Sequence, residues 1–147
     1  LIKSGRLIRD IVNTQSQKSS GVPAILLVEN DQINQEVTKS YIEEYVDLTI
    51  VATGEEAIAN CRRYNYDLIL MDINLGKGID GVQTGNVIRL LPGFSEIPVI
   101  AVTAFGSERD KEFLLDNGMN DYIAKPFTQE ILLESMSTLL KTPLKKR

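Results

Sequence analysis

Short apolar runs alternate along this chain with longer segments of helical periodicity. Five runs are continuous or nearly continuous in apolar side chains, at residues 25–28, 48–51, 68–71, 99–102 and 122–123. Runs of this length that lack an apolar–polar alternation are typical of strands covered on both faces. The sequence therefore predicts five short buried strands.

A helical pattern follows each of these strands. The apolar positions of the five predicted helices are Ile33, Val37, Tyr41 and Tyr45; Ala57, Ile58, Cys61 and Tyr64, on the buried side; Val82, Ile88 and Leu91; Phe113 and Leu114; and Leu132, Met136, Leu139 and Leu140. Polar side chains that accept hydrogen bonds from first-turn amides indicate three of the helix starts. They are the Thr53–Glu56 pair, the Ser107–Asp110 pair and Thr128.

The strand–helix order, repeated five times, predicts an α/β domain with a parallel sheet and helices on both faces. Right-handed crossovers leave few topologies, and we expect a doubly wound, flavodoxin-like (βα)5 sheet of strand order 2-1-3-4-5. We assign this domain to residues 21–141. Residues 1–20 are predicted to form a short amphipathic helix, at about 1–12, and a polar linker, and residues 142–147 a basic tail.

Composition excludes several kinds of chemistry. The 147 residues include no histidine and one cysteine, Cys61, which excludes His-based triads, His metal ligands, intrachain disulfides and Cys-rich zinc sites. No apolar run approaches the ~18 residues of a membrane span, and no signal peptide is evident. We therefore expect a cytoplasmic protein without direct membrane contact. Because no methionine begins it, we also expect the chain to be a piece of a longer protein.

Charge is distributed unevenly. The net charge is −4, yet residues 1–20 and the last three residues are basic, so the middle of the chain is more acidic than the whole. An acidic body argues against direct nucleic-acid binding. It suits a cation site, although most such charge is simply solvated.

Polar side chains follow four of the predicted strands. Because the carboxyl ends of parallel strands meet at one edge of a sheet, these side chains are expected to lie close together. They are Glu29, Asn30 and Asp31 after the first strand, Asp72 after the third, Thr103 after the fourth and Lys125 after the fifth.

These groups together fit phosphoryl transfer. Carboxylates gather Mg²⁺, which prefers oxygen ligands, while a lysine and a hydroxyl grip phosphoryl oxygens. An aspartate can then act as the nucleophile and form an aspartyl-phosphate. Each feature alone has a common structural explanation, such as a helix cap, strand propensity or a Lys-Pro turn. Their joint type, strand and order favour a phosphoryl-transfer site.

Four separated segments carry a resemblance to a known family. Residues 26–29, 68–73, 102–104 and 121–127 resemble the signature segments of the bacterial response-regulator receiver domain, and the resemblance covers about residues 24–140. Residues 33–35 and 118–121 look most like receivers attached to hybrid sensor histidine kinases.

The resemblance implies a signalling phosphoacceptor domain, not an enzyme, within a two-component phosphorelay. Its partner would be a histidine kinase or a histidine phosphotransfer protein, and homodimerisation stays open. Asp72 would accept the phosphoryl group, and Thr103 and Lys125 would bind it. The implied Mg²⁺ ligands are Glu29, Asn30, Asp72 and the backbone carbonyl of Asn74. Tyr122 would be a switch aromatic that turns inward on activation, or else an ordinary half-buried strand residue.

One position departs from the family pattern. Receivers usually have two consecutive carboxylates after the first strand, whereas here Glu29 is followed by Asn30 and then Asp31. A neutral amide ligand should weaken Mg²⁺ binding. Three alternatives follow: Asn30 binds through its amide oxygen, Asp31 reaches in instead of capping the next helix, or the domain is a degenerate receiver that serves as a protein–protein docking module. We expect phosphorylation to survive, because the acceptor, the hydroxyl and the lysine are all present.

Overall fold

The computed structural model describes residues 21–76, 78–104 and 107–147. Its strands are β1 (Ala24–Val28), β2 (Asp47–Val51), β3 (Leu68–Asp72), β4 (Val99–Thr103) and β5 (Asp121–Ala124). Its helices are α1 (Gln32–Ile42), α2 (Gly54–Arg63), α3 (Gly81–Arg89), α4 (Glu108–Asp116) and α5 (Gln129–Leu140). The predicted strand–helix order is confirmed, while the helix and linker predicted for residues 1–20 lie outside the described residues.

The strands form one parallel sheet in the order β2-β1-β3-β4-β5, as predicted. β3 and β4 are buried along their whole length. Alternate residues of each inner strand enter different core layers: Leu26 and Ile69 pack under α2, α3 and α4, while Ile25 and Leu68 pack under α1 and α5. Both faces of the sheet are therefore covered, which explains the continuous apolar runs.

The predicted capping residues all begin helices. Thr53, Ser107 and Thr128 accept hydrogen bonds from amides three residues on, at 3.1, 3.1 and 3.2 Å. The reciprocal half of the Thr53–Glu56 box does not form, because the Glu56 carboxylate accepts from the Ala52 amide instead, at 3.5 Å. A complete capping box is present at α3, where Asp80 and Gln83 bond each other's backbone amides.

Two predicted apolar stripes differ from the buried faces. In α1 the buried side chains are Thr38 and Ile42, whereas Ile33 is 75% and Val37 40% exposed. A four-residue repeat advances about 40° around a helix at each step, so a stripe of this period leaves the core face toward one end. Tyr64 was wrongly predicted to be buried: it is 46% exposed, because α2 ends at Arg63 and Tyr64 adopts an extended conformation.

The last residues lie against the end of α1. The Arg147 guanidinium donates to the carbonyls of Glu43 and Val46, at 2.7 and 2.8 Å, and pairs with Asp47 at 3.0 Å. Leu144 packs against the core under α1 and α5. The predicted basic tail is thus in contact with the domain. None of the helices described is long and apolar enough to cross a membrane.

Candidate functional site

A cleft of about 450 Å³ opens at the carboxyl edge of the sheet. The six residues predicted to hold Mg²⁺ or to accept and bind the phosphoryl group all line it: Glu29, Asn30, Asp72, Asn74, Thr103 and Lys125. The sheet order explains this convergence, because β1, β3, β4 and β5 are neighbours and end at one level. Their predicted assembly at one edge is confirmed; their roles stay predictions.

Glu29 is the most constrained acidic group of the cleft. It follows β1 directly and is only 3% exposed. Its Oε1 lies 2.8 Å from Nζ of Lys125, and its Oε2 accepts a hydrogen bond from the Asp31 amide at 3.1 Å. Its backbone carbonyl accepts a hydrogen bond from Nε2 of Gln35 at 2.6 Å. The carboxylate is therefore held in one orientation from two sides.

Asp31 and Asn30 have separate positions beside Glu29. Asp31 is the N-cap of α1, with Oδ1 accepting from the Asn34 amide at 2.9 Å. Asp31 therefore caps the helix, which is one of the two roles considered for it. The cap occupies an oxygen of the carboxylate that would otherwise be a substitute Mg²⁺ ligand. Asn30 is exposed, and its Nδ2 lies 3.2 Å from where a Cβ on Gly76 would stand. The Asn30 amide thus lies beside the loop that joins β3 to α3.

Asp72 ends β3 and is 6% exposed. Its Oδ1 accepts from the Asn74 amide at 3.2 Å and lies 3.6 Å from Nζ of Lys125. Burial, together with hydrogen bonding to and repulsion from the Glu29 carboxylate, raises the pKa of Asp72 from 3.8 to about 7, against the opposing effects of Lys125 and the Asn74 amide. The surroundings of Asp72 therefore disfavour its ionised form.

Thr103 and Lys125 come from neighbouring strands and are joined through the backbone. Thr103 ends β4 and is 3% exposed, and its carbonyl accepts from the Lys125 amide at 2.8 Å. The Lys125 side chain is 19% exposed and lies between Glu29 and Asp72. The peptide bond from Lys125 to Pro126 is cis. A hydroxyl and an ammonium group thus stand on the side of Asp72 where β4 and β5 end.

The loop between β3 and α3 approaches Asp72 through Gly81. A Cβ on Gly81 would lie 2.4 Å from the Asp72 carbonyl oxygen, so no other residue fits there without movement. The capping box of Asp80 and Gln83 begins α3 at this point. This capping box was not predicted from the sequence, although the pattern Asp-x-x-Gln before a helix is its signature.

Gln35 was also missed as a contributor to the site. It was noted within residues 33–35 as part of a family resemblance, without a role. The donation to the Glu29 carbonyl depends on how α1 docks against the end of β1, and no local sequence signal reports that contact. Tyr122, by contrast, was singled out: it is half-buried on β5, opposite Ala101 of β4, and packs against the core under α2–α4.

Carboxylates alone do not make a metal cluster here. Among the described residues, no three His, Cys, Asp or Glu side chains come together in a group that could hold a metal ion. The cleft instead combines the carboxylates of Glu29 and Asp72 with the amide groups of Asn30 and Asn74, while the third carboxylate of its lining, that of Asp31, caps α1. Any cation site at this edge therefore depends on the neutral ligands that Asn30 and Asn74 can offer.

Comparison with known proteins identifies the family to which this arrangement belongs. A model of the response regulator receiver domain matches residues 25–137. The chain belongs to this family. Its fold and its place in two-component signalling are thereby those expected from the sequence. The match includes every residue predicted for the cleft.

Individual relatives extend this comparison. Transcription factor SKN7 of Saccharomyces cerevisiae is 34% identical over 118 residues, which are 80% of this chain and 18% of that protein. The signal transduction histidine-protein kinase BarA of Escherichia coli is 35% identical over 109 residues, 74% of this chain and 12% of that protein. The chain thus spans less than a fifth of the length of these curated relatives.

A solved structure closely matches the whole domain. The receiver domain of the sensor histidine kinase PA1611 from Pseudomonas aeruginosa is 35% identical, with a TM-score of 0.76, and the match covers 82% of this chain and 99% of that one. That receiver was crystallised with a magnesium ion coordinated in its active-site cleft. The expected likeness to receivers of sensor kinases is confirmed by this structure and by BarA.

Proposed function

We propose that Asp72 accepts a phosphoryl group from a phosphohistidine and that the chain acts as a phosphoacceptor in a phosphorelay, not as an enzyme. The observation that carries the proposal is the position of Lys125, 2.8 Å from Glu29 and 3.6 Å from Asp72. This pairing brings a nucleophile, a second carboxylate and a cation together in a solvent-accessible cleft. The partner would be a histidine kinase or a histidine phosphotransfer protein, encountered in the cytoplasm.

The residues of the cleft fit a Mg²⁺ ion. Two carboxylates converge, and burial and Glu29 raise the pKa of Asp72, so a divalent cation bound between them would favour the ionised form. Glu29, Asn30, Asp72 and the backbone carbonyl of Asn74 would hold it. When bound, Mg²⁺ would supply charge neutralisation for the phosphoryl oxygens. The magnesium in the cleft of the Pseudomonas receiver supports this assignment.

The chain's own residues would carry the transfer. A carboxylate oxygen of Asp72 forms a bond to phosphorus while the phosphorus–nitrogen bond of the phosphohistidine breaks, and the electron pair returns to the imidazole nitrogen. Lys125 would pair with a phosphoryl oxygen as charge accumulates there, and the Thr103 hydroxyl would donate to another. Both groups stand at the ends of adjacent strands, β4 and β5, beside Asp72.

Tyr122 would report this event to the surface. Tyr122 is half-buried on β5. Two residues further along the same strand, Ala124 pairs with Thr103 of β4. Movement of Thr103 toward the phosphoryl group would open space for the Tyr122 ring to turn inward. The face formed by α4 and β5 would then change shape.

Phosphorylation of the whole chain tests the proposal. The purified protein is incubated with Mg²⁺ and acetyl phosphate, and its intact mass is measured. We expect a gain of one phosphoryl group that Asp72→Asn abolishes. A gain that persists in Asp72→Asn would overturn the acceptor assignment. No gain at high Mg²⁺, with none from a cognate kinase either, would leave the docking-module alternative.

A further inference from the structure

The backbone carbonyl of Glu29 lies where the sheet stops providing partners. The register of β1 and β2 ends at the Val28–Val51 pair, and the Glu29 amide donates to the Val51 carbonyl at 3.0 Å. Beyond this point β2 turns away toward α2. The Glu29 carbonyl is instead bonded by a side chain, Nε2 of Gln35, at 2.6 Å. A helix residue thus replaces the missing strand partner.

This bond fixes the peptide that joins Glu29 to Asn30. The carbonyl of that peptide is held by Gln35, and the next amide, that of Asp31, donates to Oε2 of Glu29 at 3.1 Å. Asp31 also caps the same helix that carries Gln35. The turn is therefore anchored to α1 at two points. Rotation of the Glu29–Asn30 peptide would displace the side chains of both residues, which line the cleft.

We propose that Gln35 is a positioning residue for Mg²⁺ binding, an inference that rests on the proposed function of the cleft. Gln35 is not among the residues that line the cleft; it holds the peptide from which two of the proposed ligands, Glu29 and Asn30, project. Orientation matters more here than in a site with three carboxylates, because Mg²⁺ demands near-ideal octahedral geometry and Asn30 offers a neutral oxygen. Groups that orient metal ligands commonly contribute 10- to 100-fold in affinity.

The test compares Gln35→Met with Gln32→Met in the full chain. Methionine keeps the length and shape of glutamine but cannot donate. Gln32 is an exposed residue in the first turn of the same helix, so the same change there is a matched control. Mg²⁺ affinity is measured by calorimetry with the metal alone, at a temperature where both variants are folded. We expect about tenfold weaker binding in Gln35→Met and no change in Gln32→Met.

A second measurement does not depend on the metal. Amide hydrogen exchange at Asp31 reports the turn directly, because that amide is bonded to the Glu29 carboxylate. We expect faster exchange in Gln35→Met, wild-type exchange in Gln32→Met, and slow exchange restored in Gln35→Arg, which keeps N–H donors.

The outcomes separate this inference from the function on which it rests. Unchanged Mg²⁺ affinity in Gln35→Met would overturn the inference, even with a lower melting temperature, because the role would then be purely structural. A wild-type chain that neither binds Mg²⁺ nor gains a phosphoryl group would overturn the proposed function, and the inference with it.

Discussion

The ammonium group of Lys125 lies nearer to Glu29 than to Asp72: Nζ is 2.8 Å from the first carboxylate and 3.6 Å from the second. In this arrangement the lysine neutralises the neighbour of the acceptor more than the acceptor itself. The pKa of Asp72 is accordingly raised, with burial and Glu29 outweighing Lys125. A cation that joined the two carboxylates would free Lys125 to meet a phosphoryl oxygen.

Removing Lys125 should therefore destabilise the metal-free protein more than the metal-bound one. In Lys125→Met two buried carboxylates lose their counter-charge, so we expect the free energy of unfolding in EDTA to fall by about 1–3 kcal/mol. In millimolar Mg²⁺ the loss of unfolding free energy caused by Lys125→Met should be smaller. Urea unfolding with and without Mg²⁺ measures both values, and an equal loss under the two conditions would contradict this account.

The acceptor itself should make stability depend on pH. Because the pKa of Asp72 is raised from 3.8 to about 7 on folding, the folded state binds this proton more tightly than the unfolded state. Stability from this group is present below about pH 4 and is lost as the pH rises through 7. In Mg²⁺-free buffer, Asp72→Asn should thus raise the free energy of unfolding at pH 8 by about 1–2 kcal/mol, after allowance for solvent screening. Denaturation at pH 5 should give a smaller gain, and an equal gain at both values would refute the assignment.

Residue 30, the neutral ligand position, allows a substitution that should strengthen Mg²⁺ binding. Asn30→Asp adds a carboxylate at the edge of the cleft, next to Gly76, and hard-cation affinity rises with ligand charge. Calorimetric titration should show Mg²⁺ binding about tenfold tighter than in the wild type. Gln32→Glu is the control, because it adds the same charge on the exposed first turn of α1, at a residue that does not line the cleft. Unchanged affinity in Asn30→Asp would mean that residue 30 does not face the cation.

Much of the site could be predicted because its polar side chains lie directly at the ends of the apolar runs that form the strands. Asp72 and Thr103 are the last residues of β3 and β4, and the sheet order then brings them to one edge. Gln35 could not be recognised in the same way, since its partner is a backbone carbonyl and any sequence supplies one. The contact depends on the docking of α1 against the sheet, which is a property of the packed domain.

Two other features depend on tertiary structure in the same sense. Ile33 is exposed because the face of α1 that meets the sheet carries Thr38 and Ile42, and a four-residue repeat rotates away from that face toward the start of the helix. The contacts of Arg147 follow from where α5 ends, close enough for the chain to return to the carbonyls of Glu43 and Val46, just past the end of α1. A basic residue near a helix C-terminus is favourable, but the sequence does not say which helix it will meet.

The exposed apolar side chains of α1 should affect the rate of phosphorylation by a protein donor but not by a small-molecule donor. Ile33 and Val37 lie on the helix that borders the cleft, with Asn34 lining the cleft between them. Replacing both by serine should slow phosphorylation by a cognate kinase at least tenfold, because about 1.4 kcal/mol of lost contact suffices for that factor. The rate with acetyl phosphate should be unchanged. Leu90→Ser, at the residue directly after α3 and 84% exposed, is the control for a general loss of apolar surface. Equal slowing with both donors would show that the double variant damages the site.

Finally, Gly81 and Gly85 provide a matched pair within α3. A Cβ at Gly81 would stand 2.4 Å from the Asp72 carbonyl oxygen and 2.8 Å from Cα of Ile73, whereas one at Gly85 would meet Cε of Met119 at 3.4 Å. Alanine is the better helix former by about 1 kcal/mol, so Gly85→Ala should be neutral or stabilising. Gly81→Ala must push α3 away from the acceptor strand, and overpacking of this kind costs about 1–3 kcal/mol. Urea unfolding of the two variants checks the stabilities.

Because the displaced backbone belongs to Asp72, Gly81→Ala should also slow phosphorylation by acetyl phosphate at a pH and temperature where it remains folded. A Gly81→Ala protein as stable and as reactive as Gly85→Ala would show that the close approach of α3 to Asp72 is not required.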